Sequence, residues 1–222
     1  MRCAQCEGID QLFGAKKARS QLAKFRRKGA DRTTRMLIED VYDAMSKRND
    51  GRSPTVLLDI GAGVGAIHHA LLDGGVERAV HVDASSAYLT AAREEAERRG
   101  HTTRVEFVAG DFVDVADHIS TADIVTLDRV ICCYHDMTQL VSRSGEKAGF
   151  LYGAVYPRDE WWTRLFVAWN NVFYRATRSP FRTFVHSPRD IDSVLGSHGL
   201  RRRSVRRTLV WEVAVYTRSN PA

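Results

Sequence analysis

Short apolar runs and segments with helical spacing alternate along most of this chain. The apolar runs have the length of strands, and glycine or polar residues bound them. Alternating strands and helices predict an α/β fold with a mostly parallel, Rossmann-like sheet and helices on both faces. The predicted strands are TVLLDI at 55–60, AVHVD at 79–83, VEFVAG at 105–110, DIVTLD at 123–128 and GFLYGAVY at 149–156.

Elements before and after this core are also predicted. Two helices, over residues 10–28 and from Asp31 onward, precede the first strand. The clearest core helix has Ser85 as its N-cap and Gly100 after its end. The later elements are a helix at 187–199 and two alternating runs, SVRRTLV at 204–210 and WEVAVYTR at 211–218, which predict a terminal antiparallel hairpin.

The length of 222 residues fits one α/β domain, and 44% hydrophobic and 27% charged residues are ordinary for a globular protein. We expect residues 1–50 to form an N-terminal helical cap of the same domain. Residues 51–222 are expected to form the core, with an aromatic insertion at about 158–186.

A glycine-rich loop follows the first predicted strand. Gly61, Gly63 and Gly65 read G-A-G-V-G, which differs from the G-x-G-x-x-G spacing of dinucleotide-binding loops. Asp83 ends the second strand, where a carboxylate can accept hydrogen bonds from both hydroxyls of a ribose. The pattern predicts a nucleoside pocket at the carboxyl ends of parallel strands; the alternative is a generic strand–helix turn.

Four motifs in this order resemble class I S-adenosylmethionine-dependent methyltransferases. They are LLDIGAGVG at 57–65, HVDAS at 81–85, VAGDFVD at 108–114 and ADIVTLDRVICCYHD at 122–136. The resemblance implies S-adenosylmethionine as cofactor. It places the methionine part beside Asp59, Gly61, Ala62, Gly63 and Gly65, the ribose beside Asp83 and Ala84, the adenine beside Asp111 and Phe112, and the sulfonium near Asp128 and Arg129.

The chain as a whole distantly resembles magnesium-protoporphyrin O-methyltransferases. The shared features are the basic RRKG…TTR at 26–35, a Tyr-Pro pair after the fifth strand, an arginine-rich insertion and a His-Ser-Pro helix start. The loop after the fourth strand departs from that group because it lacks a proline, and so does the CAQCEGIDQLF start. The resemblance implies methylation of a small molecule, with O-methylation of an anionic or aromatic substrate expected.

Methyl transfer from a sulfonium asks for positioning more than for acid–base chemistry. A carboxylate acceptor is ionised at neutral pH and needs no base, whereas a hydroxyl or amine is helped by one. The candidate catalytic residues are His135 and Asp136 as bases and Tyr134 as a positioning residue. The alternative for His135 is an exposed loop position.

Two segments outside the cofactor motifs are candidates for substrate binding. The basic segment KFRRKGADRTTR contains Arg27, whose planar guanidinium suits a carboxylate; the alternative is a solvated helix end. The aromatic insertion contains Trp161, Trp162 and Arg182, and it is predicted to cover the substrate as a lid. The alternative is an inserted helix packed into the core, because a helix apolar nearly all round must be covered.

The formal net charge of +6 admits nucleic acid as a partner. The densest basic patch, RRRSVRR at 201–207, fits a solvated sheet edge, so nucleic acid is not the expected partner. The alternative functions are an RNA methyltransferase and a non-catalytic nucleoside-binding module. The oligomeric state is left open.

The four cysteines do not predict a metal site. Cys3 and Cys6 form a CxxC pair, but Cys132 and Cys133 are adjacent, which is poor spacing for ligands of one ion. No apolar run has the length of a membrane span, and the first residues lack the apolar core of a signal peptide. A cytoplasmic protein with free thiols is therefore expected.

Overall fold

A computed structural model describes residues 14–48, 53–177, 179 and 181–218. The described residues contain seven strands. For six of them, both ends lie within about two residues of the predicted bounds. The strands are β1 Val56–Ile60, β2 Arg78–Asp83, β3 Val105–Ala109, β4 Ala122–Asp128, β5 Ala148–Pro157, β6 Leu200–Arg207 and β7 Trp211–Arg218.

All seven strands belong to one sheet in the order β3-β2-β1-β4-β5-β7-β6. Strands β1 to β5 run parallel to their neighbours, and β7 pairs antiparallel with both β5 and β6. The predicted fold class, a mostly parallel sheet with a C-terminal antiparallel hairpin, is confirmed. The strand order reverses between β1 and β4, and a crevice opens beyond the carboxyl ends of strands at such a switch point.

Eight α-helices lie in the described part of the chain, and three short 3₁₀ turns follow strands or helices. The α-helices are α1 Ala15–Lys28, α2 Arg32–Ser46, α3 Ala66–Asp73, α4 Ser86–Arg99, α5 Phe112–Val115, α6 Met137–Lys147, α7 Trp161–Ala176 and α8 Pro188–Ser197. The 3₁₀ turns are Thr102–Arg104, Ala116–His118 and Ile131–Cys133.

The sheet is covered on both faces, which explains why its central strands are apolar on both sides. On one face α2 and α3 pack through residues such as Leu37, Val41 and Leu71. On the other face α6 and α8 pack through residues such as Leu140 and Leu195. The sheet is thereby held rigid, and its carboxyl edge carries the loops that form the site.

Helix α1 lies across this edge and packs on α4. Its buried side chains Ala18, Leu22 and Phe25 form a small core with Tyr88 and Ala91. The first four residues of the helix predicted over 10–28 lie outside the described residues, and the division into an N-terminal cap and a core stays a prediction.

The first strand of the hairpin differs from its prediction. It begins at Leu200 and ends at Arg207, so its pairing starts four residues before the predicted 204–210. A turn follows, in which the Thr208 backbone N–H donates to the Trp211 carbonyl over 2.8 Å. The arginine-rich sequence of an edge strand hides the apolar alternation on which the prediction depended. No helix in the described ranges is both long and apolar enough to span a bilayer.

Candidate active site

A cavity of about 470 Å³ opens at the carboxyl ends of β1, β2 and β4. Helix α1 and the loop after β4 also contribute to its wall, so residues distant in sequence meet there. Ten of the eleven predicted cofactor residues line it: Asp59, Gly61, Ala62, Gly63, Asp83, Ala84, Asp111, Phe112, Asp128 and Arg129.

The eleventh residue, Gly65, lies at the start of α3 and does not line the cavity. Its φ of 82° is left-handed, and a Cβ there would overlap the His68 ring. At Gly61 φ is 60°, and a Cβ would approach Val130 Cγ2 to 2.5 Å. Glycine is therefore required by the tight turn and by the protein's own packing at both positions.

Asp83 ties the end of β2 to the glycine loop. The Gly63 N–H donates to its Oδ2 over 2.9 Å, and the Ser85 N–H donates to its Oδ1 over 2.8 Å. The side chain is 8% exposed, and this burial raises the pKa of Asp83 to about 6. Each carboxylate oxygen has a further lone pair, so the group can still accept from a ligand.

Asp59 lies deeper, at the end of β1. The Thr126 hydroxyl donates to its Oδ1 over 2.7 Å, while Oδ2 has no hydrogen-bond partner among the described residues. Burial raises the pKa of Asp59 to about 7. A positive charge in the cavity would favour its ionised form.

Four buried histidines contact one another in a series that begins with His68 beside Asp59, and sequence reasoning did not identify them. His68 Nδ1 lies 3.6 Å from Asp59 Oδ2, and His69 Nδ1 lies 3.0 Å from His101 Nδ1. Burial lowers the pKa of His68 to about 3, so the ring is neutral at neutral pH and gives Asp59 no cationic partner. The fourth member of the group is His81, which contacts His68.

A polar network joins the N-terminal helices to the end of β4. The Thr34 hydroxyl donates to Asp128 Oδ2 over 2.5 Å, and Arg129 Nε donates to Asp128 Oδ1 over 3.0 Å. Arg129 also pairs with Asp31 over 3.3 Å. Arg129 has a φ of 62°, which is unusual for a residue with a side chain and marks a constrained position beside the cavity.

The loop after β4 places one of the three candidate catalytic residues in the cavity wall and the other two outside it. Tyr134 lines the cavity, and its hydroxyl donates to Asp111 Oδ2 over 3.1 Å. His135 and Asp136 are exposed and lie outside the cavity wall. The His135 ring stacks on the outer side of Tyr134, with 5.6 Å between the ring centroids. A catalytic role for these residues stays a prediction.

Asp136 has a structural task as the N-cap of α6, because its Oδ1 accepts from the Gln139 N–H over 2.9 Å. We expect Asp136→Ala to lower the free energy of unfolding by about 1 kcal/mol in a urea titration. Asp136→Ser keeps the cap and removes the carboxylate, so it is expected to retain both stability and methyl transfer. Stability with loss of transfer in the serine variant would instead establish a catalytic carboxylate.

The candidate substrate residues lie away from the cavity wall. Arg27 is exposed on α1, and Trp161 and Trp162, at the start of α7, are 72% and 36% exposed. Arg182 donates to the Ser179 and Phe181 carbonyls. Their role in substrate binding stays a prediction, and the insertion contributes to the cavity through other residues.

Several wall residues carry no sequence signal that separates them from ordinary helix or strand positions. Lys17 of α1 and Trp211 of β7 reach the cavity from opposite ends of the chain. The thiols of Cys132 and Cys133 lie 3.9 Å apart in the same wall. The remaining ones beyond the glycine loop include Lys24, Tyr88, Tyr174, Phe181 and Thr183. The described residues contain no cluster suited to a metal ion, and Cys3 and Cys6 lie outside them.

Comparison with known proteins agrees with this geometry. Residues 58–144 match a family model described as a methyltransferase domain. No curated protein matches the chain significantly. The matched residues run from Leu58, inside β1, to beyond β4, and they include the four sequence motifs except for Leu57.

Solved structures share the fold at low sequence identity. Magnesium protoporphyrin IX methyltransferase from Synechocystis PCC 6803, with bound SAH, is 16% identical, with a TM-score of 0.68 over 95% of this chain and 98% of that one. An O-methyltransferase family 2 protein from Planctomyces limnophilus, in complex with apigenin, is 19% identical, with a TM-score of 0.65 over 91% and 62%. Geranyl diphosphate C-methyltransferase from Streptomyces coelicolor is 13% identical, with a TM-score of 0.63 over 83% and 77%.

The family match covers the glycine loop, Asp83 and Asp111, and the fold around them is the one that these methyltransferases share. Residues 58–144 are therefore a methyltransferase domain, and S-adenosylmethionine is the cofactor that such a domain implies. The fold is that of class I S-adenosylmethionine-dependent methyltransferases and is distantly similar to that of magnesium protoporphyrin IX methyltransferase.

Proposed function

We propose that this enzyme methylates an oxygen of a small anionic acceptor that carries an aromatic or other flat apolar part. The observation that supports the proposal is the composition of the cavity beyond the glycine loop. There Tyr174, Phe181 and Trp211 share the wall with Lys17. Aromatic rings provide apolar contact area, and a cation offsets the negative charge of an acceptor.

The acidic half of the cavity fits the cofactor. S-adenosylmethionine supplies a methyl group on a positively charged sulfur, already activated for displacement. In the proposed arrangement Asp59 and the glycine loop hold the methionine part, Asp83 and Ala84 the ribose, and Asp111 and Phe112 the adenine. Asp31, Asp59, Asp83, Asp111 and Asp128 all line the cavity, and carboxylates stabilise a cationic ligand.

A carboxylate is the acceptor group that this site favours. No histidine lies among the described residues of the cavity wall, and the exposed His135 is outside it. Of the five aspartates in the wall, three are assigned to the cofactor in this arrangement, and Asp31 and Asp128 are ion-paired with Arg129. An acceptor hydroxyl needs a base to take its proton, whereas a carboxylate is already ionised at neutral pH. The chain's own contribution is then to orient the acceptor and exclude water.

RNA methylation, the alternative suggested by the basic composition, has less support from the cavity. The phosphodiester backbone of RNA would approach the five carboxylates of the wall, and like charges repel one another. A small acceptor places its negative charge near Lys17 and avoids this contact.

The test is a panel of aromatic and porphyrin carboxylic acids, each offered beside its amide, with the methylated product measured by mass spectrometry. We expect ester formation from some acids and no product from the amides. Lys17→Gln is expected to raise KM for the acid by about tenfold or more, because a charge-assisted contact is lost. The matched control is Lys16→Gln, whose lysine is exposed and lies outside the wall.

Equal KM values for the Lys17 and Lys16 variants would contradict the anionic acceptor. Methylation of amides or alcohols in preference to acids would contradict the carboxylate. Salt-sensitive methylation of RNA, with no product from any small acid, would favour the alternative function.

A further inference from the structure

The helix α7 carries an exposed apolar face on its outer side. Trp161 is 72%, Leu165 64%, Trp169 75% and Phe173 62% exposed. At 3.6 residues per turn these side chains fall within an arc of about 140° around the helix axis. The arc also contains Trp162, Phe166 and Val172.

The opposite side of α7 faces the body of the protein. Thr163 is its only buried residue, Tyr174 lines the cavity, and Asn171 exchanges hydrogen bonds with Thr183. The apolar arc therefore points away from the cavity that the inner side helps to close. The insertion cannot use these rings to cover an acceptor without turning the helix over.

The charged side chains of the helix and of the segment after it, up to residue 189, are all arginines. Residues 161–189 contain five arginines and no aspartate or glutamate. Arg164 and Arg175 are exposed and lie at one edge of the apolar arc, and Asp159, just before the helix, pairs with Arg164 over 2.6 Å. A partner for this surface must accept a row of bulky apolar side chains and carry negative charge.

A second copy of this chain does not meet the second requirement. In a twofold dimer the same face meets itself, so the partner face would supply further arginines rather than negative charge. A bilayer that contains anionic lipids meets both requirements. Helices with Trp, Phe and Leu on one face and arginines beside them lie in the interface of such membranes, with the apolar face among the acyl chains.

We propose that α7 docks this enzyme on an anionic membrane surface through its exposed apolar arc. The docking holds the protein at the interface while the core remains in water. Because the inner side of the same helix closes the cavity, the docked orientation also places the acceptor side of the cavity near the lipid.

The experiment is vesicle sedimentation of the full chain, without acceptor. One set of vesicles contains phosphatidylcholine alone, and the other also contains phosphatidylglycerol. We expect binding to the anionic vesicles and much weaker binding to the neutral ones. Trp169→Ser and Phe173→Ser are each expected to reduce the partition coefficient about tenfold, since each removes a large apolar side chain that docking would bury among the acyl chains.

Two variants with the same change of charge test the contribution of the arginine edge to membrane binding. Arg175→Gln is expected to weaken binding to anionic vesicles about fivefold. Arg78→Gln removes the same charge at the amino end of β2, far from α7, and is expected to bind as the unaltered protein does. All four variants alter exposed positions outside the cavity wall, so binding of S-adenosylmethionine in calorimetry reports that they are folded.

The proposal is overturned by absence of binding to anionic vesicles. It is also overturned by binding that the two apolar variants leave unchanged. Sedimentation velocity without lipid measures whether the chain forms a dimer. If it does, and if Trp169→Ser dissociates the dimer, the apolar arc is a protein interface and the membrane proposal is overturned.

Discussion

Asp83→Ala is expected to weaken binding of S-adenosylmethionine by roughly a hundredfold, since truncating one partner of a buried, charged hydrogen bond costs about 2–5 kcal/mol. The residue is buried at the cavity edge and accepts from the Gly63 and Ser85 backbone N–H groups. Its loss removes the proposed ribose acceptor and also releases the glycine loop from β2. Calorimetric titration of purified protein measures the effect directly.

Two variants separate these causes. Asp83→Asn keeps one acceptor oxygen and the shape of the side chain, and we expect it to bind more weakly than the unaltered protein but more tightly than Asp83→Ala. Asp114→Ala removes an exposed carboxylate close by that does not line the cavity, and its affinity should stay unchanged. Unchanged affinity in Asp83→Ala would contradict the ribose assignment.

If Asp83 binds the ribose and Asp59 the methionine part, the affinity for S-adenosylmethionine must depend on pH. Burial raises the pKa of Asp83 to about 6 and that of Asp59 to about 7. A protonated carboxyl group loses acceptor capacity and negative charge, so both losses disfavour a cationic nucleoside. The affinity for S-adenosylmethionine should therefore be highest above these two pKa values and decrease as the pH falls through them. The decrease should be smaller in Asp83→Asn, which lacks one of the two titrating groups.

The cofactor half of the site could be predicted because its determinants are local in sequence. The G-A-G-V-G loop follows an apolar run that ends in Asp59, and Asp83 ends the next run twenty residues after Gly63. Parallel strands bring such ends to one edge of the sheet, so spacing alone brings these groups together.

The acceptor half could not be predicted in the same way. Lys17 and Trp211 line the same cavity because α1 crosses the edge of the sheet and β7 pairs with β5. In the loop after β4, the 3₁₀ turn Ile131–Cys133 directs Tyr134 inward and leaves His135 outside. Tyr134 and His135 are adjacent in sequence but lie inside and outside the cavity wall, and the sequence alone does not predict which way a turn directs each side chain.

The aromatic insertion shows a further limit of sequence patterns. An apolar helix was expected to be covered, either as a lid or in the core. In the structure its inner side is held by polar contacts such as the one between Asn171 and Thr183, and its rings face outward. The pattern identified an unusual helix, but it could not identify which side of the helix meets the protein.

Glu95→Ala is expected to lower the free energy of unfolding by about 1–3 kcal/mol, because it removes a buried carboxylate that accepts charge-assisted hydrogen bonds from three partly exposed arginines. Glu95 is fully buried on α4 and accepts from Arg26 Nε over 2.8 Å, Arg98 Nε over 2.9 Å and Arg99 Nε over 2.7 Å. Arg26 belongs to α1, so the cluster fastens α1 to α4. Without the carboxylate, three arginines with like charge remain together.

Glu94→Ala is the matched control for this prediction. Glu94 is the preceding residue, is 57% exposed, and pairs with the same Arg26 over 3.0 Å. An exposed ion pair is worth about 0–1 kcal/mol, so urea titration should separate the two variants clearly. Equal losses of stability in both would show that the buried cluster contributes no more than a surface pair.

The pH dependence of this difference follows from the pKa of Glu95. Burial raises that pKa, but hydrogen bonds from Arg98, Arg26 and Arg99 outweigh burial and hold it well below its usual value. Because the folded-state pKa is depressed, the stabilisation is complete above the unfolded-state value of about 4.3 and is lost as the pH falls further. A further variant, Glu95→Gln, keeps the size of the side chain but not its charge. The difference in free energy of unfolding between it and the unaltered protein should accordingly become smaller in acid, while the difference for Glu94→Ala stays small at every pH.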